Sequence, residues 1–320
     1  MDERSREDQT APDERSREDP TSLNSSIAVI GPGAIGSTIA ALLYTAGRPV
    51  LLCGRTARDR IEVRPDDREP IRIPGPVHTD PGTVDGPLDV VFLAVKDTQN
   101  ARAAAWLERL CDENTVICAL QNGVEQVERV SAVSRRTDAA HVVPAAVWIS
   151  AETQPGGWVR LRSEARLVLP DNAAAGAVAH ALHGTAIAVE RDPDFRSATW
   201  RKLLVNAVVG FMVLAHRRAG MFRRDDVAAL ARRYLTECLA VARADGARLE
   251  DDVVDEIVTM LASSPEDLTT SMLTDHQAGR PLEWDIRNGV ISRKAAAHGL
   301  PTPISDVVVP LLAAADDGPG

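Results

Sequence analysis

Lys202 and Asn206 lie four residues apart in WRKLLVNAVVG (200–210), an otherwise apolar run. On a helix that spacing is about one turn, so the ammonium and the carboxamide share one stripe. Such a pair suits a reaction in which negative charge grows on a substrate oxygen. A cation within hydrogen-bond reach stabilises that charge and can deliver the proton. Lysine fits the task because burial lowers its pKa toward the working pH, which arginine cannot match. TTSMLTDHQAGRPLEWDIRNG (269–289) offers a second set. Pro281 suits the first turn of a helix, Glu283 follows it, and Ser271 lies before the GRP turn. Taken alone, such a carboxylate complements a helix dipole and such a serine caps a helix. A buried lysine needs a partner, however, and Glu283 is the nearest candidate in kind.

A third group of residues points to a nucleotide. Gly31, Gly33 and Gly36 form G-x-G-x-x-G in GPGAIG (31–36), with Ala34 and Ile35 between them. The motif follows a predicted strand, IAVI (27–30), and opens a predicted helix, which is the context it requires. Gly31 permits the tight turn, Gly33 lets the backbone approach a pyrophosphate, and Gly36 lets helix and strand close. The second strand, within 48–55, ends at Arg55. An acidic residue there would accept from a ribose 2′-hydroxyl, whereas an arginine pairs with a 2′-phosphate. This favours NADP(H), with Arg58 and Arg60 just beyond. Lys96 and Gln99 follow a buried strand (88–95), and Asn122 follows another (114–120). All lie past the C-terminal ends of parallel strands, where open α/β sheets bind ligands.

The elements that must position these groups fall into two halves. Strands and helices alternate from residue 27 to about 138, which predicts a parallel sheet with helices on its faces. Residues 56–87 read as a short helical piece, edge strands and loops. HVVPAAVWIS and WVRLRSEARLVLP read as strands joined at QPGG (154–157), hence antiparallel. Beyond about 193 the pattern is helical, with candidates at 196–215, 225–245, 251–263, 281–298 and 303–315. The expected division is a disordered tail (1–25), a nucleotide-binding α/β domain (26–190) and an all-helical domain (191–320). The tail repeats DERSRED at 2–8 and 13–19 and has too few apolar residues to order itself.

The chain has 320 residues, a formal net charge of −10 and a hydrophobic fraction of 44%. An acidic chain has no electrostatic case for nucleic acid or an anionic membrane. No apolar run is read as spanning a bilayer. Cys53, Cys111, Cys118 and Cys238 form no CxxC pair, read as small core hydrophobes and fit a reduced, cytoplasmic setting.

Taken together, GPGAIG, Arg55, AVKDTQ (94–99), LQNGVEQ (120–126), WRKLLVNA (200–207), TSMLTD (270–275) and RPLEWDIRNG (280–289) resemble the ketopantoate (2-dehydropantoate) reductases from about 27 to 312. The resemblance implies a Rossmann-type, doubly wound α/β domain, an all-helical C-terminal domain and a cleft between them. It implies NADPH as hydride donor to a 2-keto acid, a small-molecule substrate, with pantothenate biosynthesis as the pathway and a homodimer as a possible assembly. By that analogy Lys202 is the general acid, and Glu283 orients substrate or lysine. Asn122, Asn206 and Ser271 hydrogen-bond the substrate. Gly31, Gly33, Ala34, Ile35, Gly36, Arg55, Lys96, Gln99 and Asn122 serve the cofactor. One departure stands out: the family usually places a second asparagine one turn after the first, where this chain has Gly210. The resemblance still implies reduction of 2-dehydropantoate to pantoate, but on that stripe a glycine leaves open a bulkier or more apolar keto acid, or an imine, as the alternative. A non-catalytic NADP(H)-binding protein is the rival reading from another class.

Overall fold

The computed structural model describes residues 25–318, so the tail expected over 1–25 lies almost wholly outside the described residues. The chain begins with β1 (Ile27–Ile30), α1 (Ala34–Thr45), β2 (Leu51–Cys53), β3 (Arg60–Pro65), β4 (Ile71–Pro74) and β5 (Val77–His78). Then come β6 (Val90–Leu93), α2 (Asn100–Leu110), β7 (Val116–Ala119), α3 (Gln126–Ser131) and β8 (Val142–Pro144). Five strands of this stretch and β1 make one sheet, in the order β5-β2-β1-β6-β7-β8. Every pairing in it is parallel, with Ala28 opposite both Leu51 and Val91. The order reverses beside β1, which opens a crevice at the carboxyl ends of β1 and β6.

Helices cover both faces of this sheet, so its central strands are apolar throughout. Ile27 and Val29 of β1 pack with Ile39 and Leu43 of α1. Ala28 and Ile30 point the other way, toward Trp106 and Leu107 of α2 and Val130 of α3. The doubly wound α/β architecture is therefore as the alternating pattern predicts.

The region 139–192 is more divided than the sequence suggests. It holds β9 (Ala146–Trp148), β10 (Ala151–Thr153), β11 (Val159–Leu161), β12 (Ala165–Pro170), α4 (Ala173–Ala181) and β13 (Ile187–Asp192). An antiparallel hairpin does cross QPGG, as β10–β11, but β10 lies beyond HVVPAAVWIS, whose strands β8 and β9 join the main sheet and pair antiparallel with β12, respectively. Strands β3 and β4 pair with that hairpin in a separate sheet, β10-β11-β3-β4, and β13-β12-β9 form a third. Such strand pairings join residues far apart in the chain, so local pattern does not reveal them.

The remainder is helical: α5 (Phe195–Val208), α6 (Gly210–Leu214), α7 (Asp225–Ala244), α8 (Asp252–Ser263), α9 (Ser271–Gln277), α10 (Val290–His298) and α11 (Ser305–Asp316). Three helix expectations need correction. The helix expected over 196–215 is interrupted at Val209. The one expected from 281 starts at Trp284, so Pro281 and Glu283 precede it, and it opens with a π-helical turn, Asp285–Gly289. Helix α9 is not among the candidates; Thr270 caps it by accepting from the Leu273 N–H, which makes Ser271 its first residue.

Trp200, Leu203, Leu204, Ala207 and Val208 of α5 pack with Tyr234 and Leu235 of α7 and Leu312 of α11. Among the described residues, Phe195–Leu214 alone is long and apolar enough to cross a membrane, against the expectation that no run would be. Two-thirds of it is buried in this helical core, which explains its composition. The four cysteines are buried and free, as expected.

Candidate active site

The turn after β1 is as tight as a backbone allows. Gly31 has φ +91°, and a Cβ on it would stand 2.6 Å from Val95 Cγ1. A Cβ on Gly36 would stand 2.3 Å from the Gly31 carbonyl oxygen, so only glycine lets α1 close on β1 here. Gly33 is different: a Cβ there would meet nothing within 4 Å. This open space fronts the first turn of α1, which contains Ala34, Ile35 and Gly36, no acidic residue and no side-chain cap. An uncapped helix N-terminus facing open space fits a pyrophosphate. Arg55 is exposed just past β2, with Arg58 and Arg60 beyond it. These residues fit NADP(H), since an exposed guanidinium at this strand end is the type of group that pairs with a 2′-phosphate.

Lys96 and Gln99 follow β6, where the Gln99 N–H donates to the Lys96 carbonyl. The Lys96 ammonium reaches across the cleft to Asp275 on α9. The other oxygen of Asp275 accepts from Arg280 Nε at 2.9 Å. Lys96 is thus tied to the helical half, a contact its strand-end position did not reveal.

Asn122 sits at the centre of the polar cluster. Its Oδ1 accepts from Lys202 Nζ at 3.4 Å and faces Asn206 Nδ2 at 3.5 Å. Its Nδ2 donates to Glu283 Oε2 at 3.1 Å. The close approach depends on Gly123, at φ +99°, whose added Cβ would lie 3.0 Å from the Ile286 carbonyl oxygen. Lys202 and Asn206 share one face of α5, between buried Leu203, Leu204 and Ala207. The Trp148 ring of β9 lies 5.8 Å from Lys202 Nζ.

Contrary to the expectation from its type, Glu283 does not hold the lysine directly. Its Oε2 instead accepts from Arg287 Nη2 at 3.0 Å, with both side chains buried. The same Nη2 donates to Ser271 Oγ at 3.0 Å. Burial, and then the like charge of Arg287, draw the Lys202 ammonium from 10.5 down to about 7, against the pull of Glu283. Burial would raise the Glu283 carboxyl, but Arg287, Lys96 and Asn122 together hold it below the ordinary value.

A further ion cluster clamps the two halves together. Arg129 of α3 contacts Asp97 at 2.9 Å, Glu125 at 3.0 Å and Asp285 at 2.6 Å. Arg293 of α10 reaches Glu125 at 2.8 Å and also pairs with Asp285. The structure therefore gathers Lys202, Asn206, Asn122, Glu283 and Ser271 in one connected cluster. Lys96, past the end of β6, pairs with Asp275 and acts on Glu283 through its charge alone, whereas Arg55 stands apart past β2. Arg287, Asp275 and Trp148 belong to the site and were not among the candidates. Only the spacing of Glu283 and Arg287, four residues apart, hinted at one of them.

Two family models cover almost all of the described chain. Residues 27–174 match ketopantoate reductase PanE/ApbA, and residues 194–316 match its C-terminal domain.

The chain belongs to the ketopantoate reductase family.

It is 64% identical to the 2-dehydropantoate 2-reductase of Mycobacterium tuberculosis H37Rv over 296 residues, covering 92% of this chain and 99% of that one. The 2-dehydropantoate 2-reductase of Caulobacter vibrioides is 35% identical, covering 91% and 99%. Among solved structures, a dimeric ketopantoate reductase from Staphylococcus aureus superposes with a TM-score of 0.82 at 28% identity, covering 92% and 100%.

Within this family frame Gly210 needs correction. It does not extend the Lys202–Asn206 stripe into the cleft. It begins α6 and is buried, where an added Cβ would meet Leu312 Cδ1 at 3.1 Å and the Asn288 amide at 3.2 and 3.4 Å. That amide is itself held, donating to the Ala207 carbonyl at 2.9 Å and to the Tyr234 hydroxyl at 3.0 Å. Gly210→Asn is therefore expected to overpack this core, destabilising the protein by about 1–3 kcal/mol without lowering KM for the keto acid. Denaturant unfolding and steady-state kinetics on the variant check both halves.

Proposed function

We propose that this chain reduces the ketone of 2-dehydropantoate to pantoate with NADPH, in pantothenate biosynthesis. The observation that carries the reading is the Lys202 ammonium, hydrogen-bonded to Asn122 at the cleft and drawn down to about 7. Kinship with the M. tuberculosis enzyme names the substrate.

Gly31, Gly33, Ala34, Ile35 and Gly36 would hold the pyrophosphate at the N-terminus of α1, and Arg55 the 2′-phosphate. Lys96, Gln99 and Asn122 would line the cofactor's reactive end. When bound there, the dihydronicotinamide supplies a hydride to the carbonyl carbon. Lys202 acts on the carbonyl oxygen: its ammonium stabilises the developing negative charge and transfers a proton to it. Asn122 and Asn206 orient that ammonium and donate to the substrate's oxygens. Ser271 binds the far end of the substrate, and Glu283 keeps Asn122 turned so that its carbonyl faces the lysine. The nucleotide-binding part (26–190) and the helical part (191–320) each supply one wall of this cleft.

Steady-state oxidation of NADPH with 2-dehydropantoate, beside a panel of bulkier keto acids and imines, tests the reading. Preference for 2-dehydropantoate is the expected result. Absence of turnover on every acid, with NADPH still bound, would favour the non-catalytic alternative. Gly210 no longer favours a bulkier acid, because its side is packed. Arg55→Ala is expected to raise KM for NADPH about tenfold or more and to leave that for NADH unchanged, since a hydrogen bond to a charged group contributes about 1.5–3 kcal/mol. Assembly as a homodimer, like the S. aureus neighbour, and a cytoplasmic location belong to the same proposal. The solution mass checks the first.

A further inference from the structure

Arg287 is almost fully buried, at 3% exposure, beside the cluster that surrounds Lys202. It comes from the π-helical turn Asp285–Gly289. A π turn spreads consecutive residues over the inner face, and here Ile286, Arg287, Asn288 and Gly289 are all buried. A guanidinium in that setting is costly unless it is paired. One of its nitrogens, Nη2, bridges Glu283 Oε2 and Ser271 Oγ, each at 3.0 Å. The same carboxylate oxygen takes the Asn122 amide at 3.1 Å. Asn122 must then present its carbonyl to Lys202, because an amide has donors on one side only. The ammonium is left with an amide oxygen at 3.4 Å and no carboxylate within ion-pair distance among the described residues.

We propose that Arg287 is a positioning residue: it occupies the Glu283 carboxylate, so that Lys202 is held by Asn122 as a ready proton donor and is not captured in a lysine–glutamate ion pair. The proposal rests on the reading of Lys202 as general acid but can be tested without turnover. The charged groups that act on Lys202 are Arg287 and Glu283. Arg287 repels the ammonium, and by engaging Glu283 it also weakens the attraction. Both effects favour the neutral amine. Lys96 acts on Glu283 as well, but its own ammonium is held by Asp275. A lysine released from Arg287 and drawn to Glu283 would stay charged to higher pH and be a weaker acid.

The chain has only three lysines, Lys96, Lys202 and Lys294, so each can be followed by NMR of ¹³Cε-labelled lysine. Lys202→Arg assigns its resonance. Arg287→Gln keeps hydrogen-bond donors for Glu283 and Ser271 while removing the charge, and Arg287→Lys keeps the charge. In the free protein, Arg287→Gln is expected to move the Lys202 midpoint up by about one unit or more, while Arg287→Lys leaves it near wild type. In kinetics, the alkaline limb of kcat/KM should move with it in Arg287→Gln, and Arg287→Lys should restore its position. A Lys202 midpoint unmoved in Arg287→Gln overturns the proposal, as does loss of rate in that variant with an unshifted limb, which marks a structural role alone. If wild type turns over no keto acid, the proposed function fails, yet the NMR titration still decides the role of Arg287.

Discussion

Lys202→Ala is expected to lower kcat for keto-acid reduction by about 10²–10⁴-fold, the usual worth of a positioned proton donor. NADPH affinity should change little, because the proposed nucleotide cradle lies at β1, α1 and β2, away from α5. Lys202→Arg should be nearly as slow, since a guanidinium keeps its charge but does not give up its proton. Stopped-flow single turnovers would separate this loss from slow product release. Activity within threefold of wild type would remove Lys202 from the mechanism. The pH dependence follows from the same group. With Lys202 as the proposed proton donor, reduction needs the protonated amine, so kcat/KM should fall as pH rises through about 7, the value to which burial and Arg287 bring it. An anionic substrate beside the amine favours the charged form and moves the limb of kcat to higher pH than that of kcat/KM.

The same depressed pKa has a stability consequence with a definite sign. An unfolded lysine titrates near 10.5, so between about 7 and 10.5 the unfolded chain binds the extra proton and stability rises with pH. Below about 7 the buried ammonium destabilises the fold in full. Lys202→Met should therefore be more stable than wild type at neutral pH. That advantage should shrink as pH rises toward 10.5, which thermal unfolding across that range measures.

Glu283→Ala is expected to destabilise the protein by about 3–5 kcal/mol, because it leaves Arg287 buried without its carboxylate. Glu283→Gln keeps an acceptor for Arg287 and Asn122 but lacks the charge, and should lose less. Glu283→Ala should also lose kcat, since Asn122 is no longer held with its carbonyl toward Lys202, whereas Glu283→Gln, which still accepts from Asn122, should lose less. The pH test again has a fixed sign. The Glu283 carboxyl is held below its ordinary 4.5, so its contribution is present above that pH and disappears as pH falls through the lower folded value. The stability gap between wild type and Glu283→Gln should close in acid. Denaturant unfolding at neutral and acid pH, with wild type alongside, gives both numbers. Equal stability of wild type and Glu283→Ala at neutral pH would contradict the buried pair.

Several features of this protein follow from its sequence alone. The glycines of GPGAIG mark a tight strand-to-helix turn because the positive φ of Gly31 and the approach of Gly36 to the Gly31 carbonyl are local, whereas the crowding of Gly31 by Val95 comes from the chain just past β6. The alternation of apolar strands and helices predicts the parallel sheet for the same reason: each element carries its own periodicity. Lys202 and Asn206 share a face because a helix turns every 3.6 residues whatever surrounds it. Tertiary structure decided the partners. Lys202 lies 80 residues from Asn122, and Lys96 lies 179 from Asp275. Arg129 of α3 and Arg293 of α10 meet at Asp285 and Glu125 only because packing brings those helices together. Gly210 follows Asn206 at helical spacing, yet the break at Val209 and the packing of α11 turn it into the core. Short-range spacing fixes which face a side chain takes. What stands opposite that face, and hence whether a carboxylate holds the lysine or the arginine beside it, depends on chain segments that only folding brings together.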